Sequence, residues 1–418
     1  MYGVAVMGYG IVGSGVVEAF RTNAELIREK TGLTLKVTKI LDVYDFPDSP
    51  DAHLITHDVG DIMQDDDIKV VVETIGGIRE AYKYTKMAFE SGKHVVTSNK
   101  ELVAVHGPEL LKLASDNGVV YLFEASVGGG VPIIRPLERC LIANEIQEIM
   151  GIVNGTTNYM LTYMQKFGAG FSETLKLTQE KGFAEKDPSA DIEGHDACRK
   201  IAILSSIAFG SFVDCSEIYT EGISKITTID VASAEGMGFV IKLIARSRRV
   251  GNKVMVGVYP MMLRKQHILS NVDGVFNGIL VRGNIVGDVM FYGQGAGKEP
   301  TSSAIIADII DAISDISASK RNWRWDRDKK LEIANTDDDS YRYYTRFETD
   351  SGDELMSAVF KEFPDAVVLP HVAGSDSSML MFTTAIISEK MFKHGLESIQ
   401  NSVAGVSLCT FIRIYSEI

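Results

Sequence analysis

Short, nearly continuous apolar runs recur through the first 125 residues, and the stretches between them carry apolar residues at helical spacing. Apolar runs of this length are typical of strands that are buried on both faces. The predicted strands are residues 2–7, 35–41, 68–72, 94–97 and 119–123. Strands that alternate with helices in this way predict a parallel sheet with helices on both faces.

From about residue 137 the pattern changes, because strands and helices no longer alternate regularly. Helices are predicted at 159–167, at 172–181 and from His195 onward, and strands at 145–153, 253–261 and 278–282. A polar turn is predicted at 154–158. Near the end, the predicted order is strand, helix, strand, strand, helix, strand, at residues 343–349, 353–360, 366–371, 380–384, 387–399 and 405–414. That order is typical of a small separate α+β domain.

These patterns divide the chain into three predicted domains. The first covers residues 1–136, and a helix predicted at 300–318 returns to it. The second, an α+β domain, covers 137–299, and the third covers 341–418. Residues 319–340 hold a basic island followed by an acidic one, and we predict that they form a solvated linker.

A glycine motif, Gly8-Tyr9-Gly10-Ile11-Val12-Gly13, follows the first strand and precedes an amphipathic helix. This order is typical of a Rossmann dinucleotide-binding domain. Gly8 would make the tight turn, Gly10 would let the backbone approach the pyrophosphate, and Gly13 would let the helix pack on the strand. Amide groups at the helix start would then hold the phosphates. The alternative is a glycine-rich turn that binds no ligand.

Asp42 ends the second predicted strand. A carboxylate in this position accepts hydrogen bonds from the ribose hydroxyls of a dinucleotide, and it repels a 2′-phosphate. The residues that follow, VYDFPDSP, contain no arginine or lysine that would bind such a phosphate. The sequence therefore favours NAD over NADP.

Two more strand ends carry polar residues, at the edge where parallel sheets bind ligands. Lys100 follows the strand at 94–97, so it is either a functional residue or an ordinary surface lysine. Glu124 follows the strand at 119–123 and precedes the glycines at 128–130. Those glycines allow dihedral angles that turn carbonyl groups inward, so Glu124 and these oxygens are candidate ligands of a monovalent cation. The alternative is a hinge between domains.

The densest cluster of carboxylates lies between Gly182 and Lys200. Glu185 belongs to a predicted loop, and the helical spacing from His195 puts Asp196 and Lys200 on one helix face, four residues apart. Carboxylates beside a lysine can hold an ammonium-bearing substrate and move a proton. The alternative is a solvated acidic loop beside an ordinary helix.

Composition excludes several classes of function. The 418 residues carry 42 basic and 56 acidic side chains, and the net charge of -14 argues against nucleic acid or an anionic membrane as a partner. The four cysteines have no close-pair spacing for zinc or redox chemistry. The pattern of a signal peptide is absent from the start of the sequence, and no apolar run is long enough to span a bilayer. We therefore expect a cytoplasmic protein.

Together these motifs resemble homoserine dehydrogenase over nearly the whole chain. The blocks that carry the resemblance are GYGIVGSGVV near the start, TSNKELVA at 97–104, FEASVGGGVPII at 123–134, GIVNGTTNYML at 151–161, KGFAEKDPSADIEGHDACRK at 181–200 and GQGAGKEPTSSA at 293–304. The predicted C-terminal domain is similar to the ACT domain of many bacterial members of that family.

The resemblance implies an enzyme that interconverts L-homoserine and L-aspartate 4-semialdehyde with NAD or NADP, in the branch of amino-acid biosynthesis that leads to threonine and methionine. It implies that Lys200 is the acid–base residue and that Lys100 reaches both cofactor and substrate, so either lysine is a candidate for carrying the proton. A lysine held near carboxylates also stabilises a developing alkoxide.

The resemblance also implies a set of binding residues. The substrate would lie on Glu185 and Asp196. The chemistry of the residues adds Asp191 for the ammonium group of homoserine, and the threonine-rich turn with Thr157 for its carboxylate. The implied cofactor contacts are Gly10, Ile11, Val12, Thr74, Lys100, Gly182 and Gly297. A bound Na⁺ or K⁺ maps to Glu124 and to the carbonyl groups of Val127, Gly129 and Val131. The family further implies a homodimer or homotetramer and threonine as an effector.

This sequence departs from the family pattern at two places. Phe183 stands where many members have tyrosine, so a hydroxyl contact is lost there. The ACT-like segment has Glu348-Thr349-Asp350-Ser351-Gly352-Asp353 and lacks the usual Pro-Gly turn before its first helix. The second departure argues against threonine feedback.

Two other classes compete with this interpretation. Aspartate-semialdehyde dehydrogenase needs a cysteine nucleophile on a loop, whereas Cys140 and Cys198 both lie in predicted helices. A non-catalytic sensor of an amino acid or a dinucleotide would use the C-terminal domain to recognise its ligand. The full set of carboxylates and lysines named above argues against such a sensor.

Overall fold

The computed structural model describes residues 1–314, 325, 331–372 and 375–416. The chain forms two compact units, and each is described by itself. The first comprises Met1–Gln147, Arg199–Glu217 and Arg282–Leu331, and the second comprises Glu148–Cys198, Ile218–Val281 and Glu332–Ile418. The domain limits predicted from the sequence stay predictions. Most of the predicted linker, 319–324 and 326–330, lies outside the described residues.

The first elements in chain order are β1 (Tyr2–Met7), α1 (Ile11–Thr31), β2 (Leu35–Leu41), β3 (Ile55–Thr56), α2 (Gly60–Met63), β4 (Ile68–Glu73), α3 (Arg79–Glu90), β5 (His94–Thr97), α4 (Lys100–Asp116) and β6 (Tyr121–Leu122). Their strands form a parallel sheet in the order β3-β2-β1-β4-β5-β6. This is the Rossmann order, with the direction of winding changing between β1 and β4. The predicted strand at 119–123 is shorter than expected, because the Val119 N–H bonds to the Ala114 carbonyl at the end of α4.

The elements that follow are β7 (Ile146–Ile152), α5 (Gly155–Phe167), α6 (Phe171–Glu180), α7 (Ser189–Ile192), α8 (His195–Phe209), β8 (Tyr219–Thr220), α9 (Thr228–Gly236), β9 (Phe239–Val250), β10 (Lys253–Arg264), β11 (Phe276–Gly283), β12 (Gly287–Gln294) and α10 (Lys298–Ser314). The prediction of a turn at 154–158 was wrong, because α5 begins at Gly155. The side chain of Asn154 accepts the N–H of Thr157 and thereby caps the helix.

Helix α10 belongs to the core of the first unit. Its buried Ile305 and Ile309 share one apolar cluster with Val16 of α1 and with Val4 and Val6 of β1. The two helices approach closely, because a Cβ on Gly15 would lie 2.5 Å from the Ser302 hydroxyl. Residues 315–318 of the predicted helix lie outside the described residues.

The last elements are β13 (Ser340–Glu348), α11 (Gly352–Glu362), β14 (Val367–Val368), β15 (Met379–Thr383), β16 (Ile387–Ser388), α12 (Glu389–Ser402) and β17 (Ser407–Ile414). The predicted order of strands and helices is present, with the short β16 added before α12. The predicted strand at 366–371 is reduced to the two residues of β14.

The second unit contains a mixed sheet in which the strands follow the order β11-β7-β9-β10-β17-β13-β15-β14. β9 and β10 form a long antiparallel pair. On its other side β10 pairs in parallel with β17, where Met261 lies opposite Arg413 and Met262 opposite Ile414. The C-terminal segment therefore extends the sheet that begins in the middle of the chain.

Buried ion pairs reinforce this connection inside the second unit. The Arg346 guanidinium on β13 donates to both carboxylate oxygens of Asp230, at 2.8 and 3.1 Å, and both side chains are buried. Asp230 also forms a capping box with Thr227 at the start of α9. Arg413 on β17 bonds to Glu389 at 2.7 Å and to Glu221 at 3.1 Å. Because each charge has a partner, their burial is tolerated.

Within the described ranges, no helix combines the length and the apolarity that crossing a membrane requires.

Candidate active site

The glycine loop joins β1 to α1, at the carboxyl edge of the parallel sheet. Gly8 has a φ of +94°, and the Thr74 hydroxyl lies within hydrogen-bonding distance of the carbonyl groups of Met7 and Gly8. A Cβ on Gly13 would lie 1.9 Å from the Gly8 carbonyl oxygen, so only glycine fits there. A Cβ on Gly10, in contrast, would meet no atom within 4 Å. The open space at Gly10, next to the first amide groups of α1, suits a pyrophosphate.

Asp42 at the end of β2 is tied to the glycine loop. One carboxylate oxygen accepts the Tyr9 N–H at 2.6 Å, and the other accepts the Tyr44 N–H at 3.1 Å. Each oxygen keeps a second lone pair, which suits a ribose hydroxyl. His57, which the sequence did not single out, places Nδ1 2.7 Å from the Asp42 carbonyl oxygen and Nε2 2.8 Å from Asp45. These two acceptors raise the pKa of His57.

Lys100 begins α4 immediately after the cap residue Asn99. The Asn99 side chain accepts the Leu102 N–H at 3.0 Å and donates to the carbonyl groups of Ile75 and Gly77, at 3.2 and 2.7 Å. The start of α4 is therefore attached to the loop that contains Thr74. Asn99 was missed in the sequence, because its partners follow a different strand.

An ion pair joins the segments that carry the two candidate lysines. The Arg199 guanidinium lies 3.2 Å from the Glu101 carboxylate. Arg199 precedes Lys200 on α8, and Glu101 follows Lys100 on α4. Lys200 is buried, with 8% of its surface exposed, and Lys100 is half-buried. The first unit therefore holds the backbone of both lysines in one region.

Two carboxylates of the second unit meet at Asn154. Its side-chain amide donates to Asp191 at 2.7 Å and to Asp196 at 2.9 Å. Its carbonyl oxygen accepts the Thr157 hydroxyl at 2.9 Å. Asp196 and Thr157 are buried, and Asp191 is half-buried. Asn154 is a second residue that the sequence did not reveal, because its polar neighbours suggested a turn.

Glu185 lies in an exposed loop whose backbone is held at several points. The Gln179 side-chain amide donates to the Glu185 carbonyl at 3.0 Å, and the Thr156 hydroxyl donates to the Phe183 carbonyl at 2.7 Å. The Phe183 ring packs edge-on against Tyr159, with centroids 5.1 Å apart. Gly182 has a φ of +75°, which lets the chain leave α6 and enter this loop.

The loop after β6 folds around the carboxylate of Glu124. This buried side chain accepts the N–H groups of Ile133, Ile134 and Arg135, at 2.7, 2.9 and 2.6 Å. Among the residues that the structure describes, no group of three or more His, Cys, Asp or Glu side chains could hold a metal ion. A site made mainly of backbone carbonyl groups, as the sequence suggested, would not require such a group.

The glycines at 128–130 of this loop meet a second glycine segment, residues 293–297. The Gly130 N–H donates to the Gln294 carbonyl at 3.1 Å, and a Cβ on Gly129 would lie 2.6 Å from the Gly295 carbonyl oxygen. The glycine run at 128–130 therefore packs against the 293–297 loop, which leads through Gly297 into α10. The close approach requires glycine at 129, because any Cβ there would collide with the Gly295 carbonyl group.

A Rossmann sheet with an intact glycine loop, and with Lys100 at its carboxyl edge, is typical of an NAD(P)-dependent dehydrogenase. Comparisons with known proteins identify the kind of dehydrogenase. Residues 132–310 match the model of the family "Homoserine dehydrogenase", and residues 8–124 match "Homoserine dehydrogenase, NAD binding domain". The chain belongs to the homoserine dehydrogenase family.

Individual relatives agree with this assignment. The chain is 43% identical to homoserine dehydrogenase of Bacillus subtilis (strain 168) over 311 residues, which cover 73% of the chain and 72% of the relative. It is similar to a solved homoserine dehydrogenase from Thiobacillus denitrificans, with a TM-score of 0.90, 34% identity and coverage of 99% and 98% of the two chains. A hyperthermophilic archaeal homoserine dehydrogenase in complex with NADPH matches at a TM-score of 0.64 and 27% identity, covering 77% of this chain and 99% of that one.

The family defines the reaction. The protein is an oxidoreductase that interconverts L-homoserine and L-aspartate 4-semialdehyde with NAD or NADP, in amino-acid biosynthesis. The α/β class predicted from the sequence, with a Rossmann-type parallel sheet followed by a second domain, is confirmed. The competing interpretations, an aspartate-semialdehyde dehydrogenase and a non-catalytic sensor, were wrong.

Proposed function

We propose that Lys200 is the acid–base residue of homoserine oxidation and that Lys100 assists it. The observation that carries the proposal is the Arg199–Glu101 ion pair, which joins the sequence neighbours of both lysines. Bound NAD(P) supplies the hydride acceptor. As hydride leaves C4 of homoserine, a lysine amine takes the hydroxyl proton, and in the reverse direction it protonates the alkoxide.

Asp196 supports this role of Lys200, because it stands one helical turn earlier on α8. A carboxylate next to a lysine can orient its amine toward the reacting oxygen, where the lysine can exchange the proton and stabilise an alkoxide. We propose that Asp196, Asp191 and Glu185 bind the substrate ammonium group. Asn154, which bonds to both aspartates, supports this grouping.

We propose that Thr157 contributes at the substrate carboxylate, because a hydroxyl group can donate to it. Its hydroxyl already donates to Asn154, so its contact with substrate would be made together with that residue. Phe183, which lacks a hydroxyl, would offer the substrate an apolar wall where many relatives have tyrosine.

The proposed cofactor contacts are Gly8, Gly10, Ile11, Val12, Gly13, Asp42, Thr74, Lys100, Gly182 and Gly297. The open space at Gly10 supports the pyrophosphate position. Asp42 supports NAD, because its carboxylate repels a 2′-phosphate. A tenfold or larger preference of the wild-type enzyme for NADP would contradict this choice.

We propose that Na⁺ or K⁺ binds at the Glu124 loop, with the carbonyl groups of Val127, Gly129 and Val131 as ligands. Hard oxygen ligands of this kind suit such a cation. The Glu124 carboxylate, with its three backbone donors, would hold the loop in shape and add negative charge.

We also propose the remaining features that the resemblance implies: a Rossmann domain at 1–136, a catalytic and dimerisation domain at 137–299, an ACT-like domain at 341–418, a homodimer or homotetramer, and a cytoplasmic location. The strand order β17-β13-β15-β14 of the C-terminal segment supports the ACT-like assignment. The family implies threonine as an effector, but the missing Pro-Gly turn before α11 argues against threonine feedback in this protein.

One steady-state assay tests the cofactor preference and the cation site. Absorbance at 340 nm reports homoserine oxidation with NAD or with NADP, in sodium, potassium or choline chloride. We expect a higher kcat/KM with NAD, and faster turnover in sodium or potassium than in choline at equal ionic strength. Equal rates in all three salts would contradict the cation site without affecting the assignment of the lysines.

A further inference from the structure

Glu73 ends β4, and its carboxylate is fully buried in the first unit. One oxygen accepts the Ile75 N–H at 2.7 Å, and the other accepts the Thr97 hydroxyl at 2.6 Å. Ile75 lies in the loop that contains Thr74, and Thr97 ends β5. The carboxylate therefore bridges the ends of two neighbouring strands.

The bridge continues from Thr97 toward Lys100. The Thr97 hydroxyl oxygen accepts the Asn99 N–H at 2.9 Å. Asn99 in turn caps α4, which Lys100 begins, and bonds back to the Ile75 carbonyl at 3.2 Å. Glu73, Thr97, Asn99 and Ile75 thus close a ring of hydrogen bonds around the start of α4.

We propose that Glu73 is a positioning residue for the dehydrogenase reaction: its carboxylate fixes the loop after β4 to the loop after β5 and so sets the place of Lys100. The inference rests on the proposed cofactor contacts of Thr74 and Lys100. Glu73 does not touch the reacting atoms, and it acts through the Ile75 amide and the Thr97 hydroxyl.

The ring requires an ionised carboxylate, because both Glu73 oxygens act as acceptors. Met7 of β1 and Thr97 of β5 lie opposite Glu73 in the sheet, and neither side chain carries a charge. Burial raises the pKa of Glu73 to about 7. Its hydrogen bonds to Thr97, Ile75 and Asn99 lower the pKa, but burial has the larger effect. On β6, Tyr121 is a titratable residue whose hydroxyl group is affected by this carboxylate. Burial, and then the charge of Glu73, raise the pKa of Tyr121. Below neutral pH a proton on Glu73 would remove one acceptor and loosen the ring.

The test compares the pH profiles of wild type and Glu73→Gln, because glutamine keeps the shape but cannot ionise. Above pH 8 we expect Glu73→Gln to lower kcat/KM for the cofactor about tenfold, as for a lost charge-assisted hydrogen bond. Below pH 6 the wild-type carboxyl is itself protonated, so the two enzymes should agree within about twofold. Parallel profiles over the whole range would overturn the proposal.

A second variant keeps the proposal testable if Glu73→Gln folds poorly. Thr97→Val removes the hydroxyl donor with little change of shape, and it should lower the same parameter in the same pH range. In the double variant, the fold-loss of kcat/KM for the cofactor should be at most about twice that of the more damaging single variant, because both changes break one ring. A fully multiplicative loss would show that the two residues act independently, and would contradict the proposal.

Exposed Glu90 provides the matched control, since Glu90→Gln makes the same chemical change at the end of α3. Its pH profile should follow the wild type. NADH fluorescence titrations of all variants separate this inference from the proposed function. A wild-type enzyme with no homoserine turnover, or Lys100→Ala with normal turnover, would contradict the proposed function, whereas the pH dependence of NADH binding would still decide the role of Glu73.

Discussion

The Arg199 guanidinium lies 3.2 Å from the Glu101 carboxylate, and each partner is the sequence neighbour of a candidate catalytic lysine. The pair joins α8 to the first turn of α4 within the first unit. Both side chains are partly exposed, so the pair itself contributes little to folding stability. Its significance is geometric, because it limits how far the backbones at positions 100 and 200 can separate.

Replacing the two lysines separately tests which one carries the proton. We expect Lys200→Ala to lower kcat by roughly 10²-fold or more, which is typical of losing a general acid–base residue. Lys100→Ala should raise KM for the cofactor as well as lower kcat, because Lys100 is proposed to contact both ligands. Steady-state kinetics at saturating homoserine measure both effects.

Lys112 is the matched control, because it lies on α4 in an exposed pair with Asp116. Lys112→Ala should keep kcat within about twofold of wild type. Near-normal kcat in Lys200→Ala, together with a large loss in Lys100→Ala, would transfer the acid–base role to Lys100.

Asp42→Asn should shift cofactor preference toward NADP. Asparagine can still accept the Tyr9 N–H, but it removes the negative charge that faces a 2′-phosphate. We expect the ratio of kcat/KM for NADP to that for NAD to rise about tenfold. Asp45→Asn removes an equal charge from the exposed partner of His57 and should shift the ratio less. An unchanged ratio in Asp42→Asn would show that Asp42 does not select the cofactor.

Two glycines of one motif should respond differently to alanine. Gly13→Ala forces a Cβ to within 1.9 Å of the Gly8 carbonyl oxygen, so we expect a loss of about 2 kcal/mol or more in the free energy of unfolding. Gly10→Ala meets no atom within 4 Å, so the unliganded protein should keep its stability within about 0.5 kcal/mol. Its Kd for NADH should nevertheless rise at least about tenfold, because the Cβ fills the space proposed for the pyrophosphate. Urea unfolding and NADH titration of both variants check the contrast.

Asp230→Asn should destabilise the second unit. The change leaves the buried Arg346 without a full charge partner and weakens the cap of α9, and breaking such a pair costs about 3 kcal/mol. The control is Glu235→Gln, because Glu235 lies in the last turn of the same helix and forms an exposed ion pair with Lys265. This change should alter the free energy of unfolding by less than about 0.5 kcal/mol. Equal effects in urea unfolding would show that burial of the Arg346 pair is unimportant.

Threonine should have little effect on activity. The segment before α11 lacks the Pro-Gly turn of the family's ACT-like domains, so we expect unchanged homoserine oxidation at millimolar threonine. Serine at the same concentration controls for general amino-acid effects. Strong inhibition by threonine alone, which excess homoserine does not relieve, would contradict this prediction.

The strands of the first unit could be predicted because parallel strands are buried on both faces. β4, for example, has a single exposed residue, Lys69, in its six residues. The start of α5 could not be found in the same way. Asn154 looks like a turn residue until its side chain is seen to accept the Thr157 N–H.

The candidate site was predicted less completely than the fold. Motifs and resemblance identified the lysines and carboxylates that are proposed to meet cofactor and substrate. The residues that hold them, such as Glu73, Asn154 and Arg199, bond to partners far away in sequence. No local spacing indicates such pairs, since the partners come together only through the order of strands and helices.

The parallel pairing of β10 with β17 limits how a role of the C-terminal segment in catalysis can be tested. A shortened protein ending near residue 339 would leave β10, whose ten inner residues are all buried, without its partner strand at Met261 and Met262. Such a bare strand invites pairing between molecules and precipitation. Point substitutions on the outer face of the C-terminal segment, rather than its removal, are therefore the sound way to ask whether it communicates with catalysis.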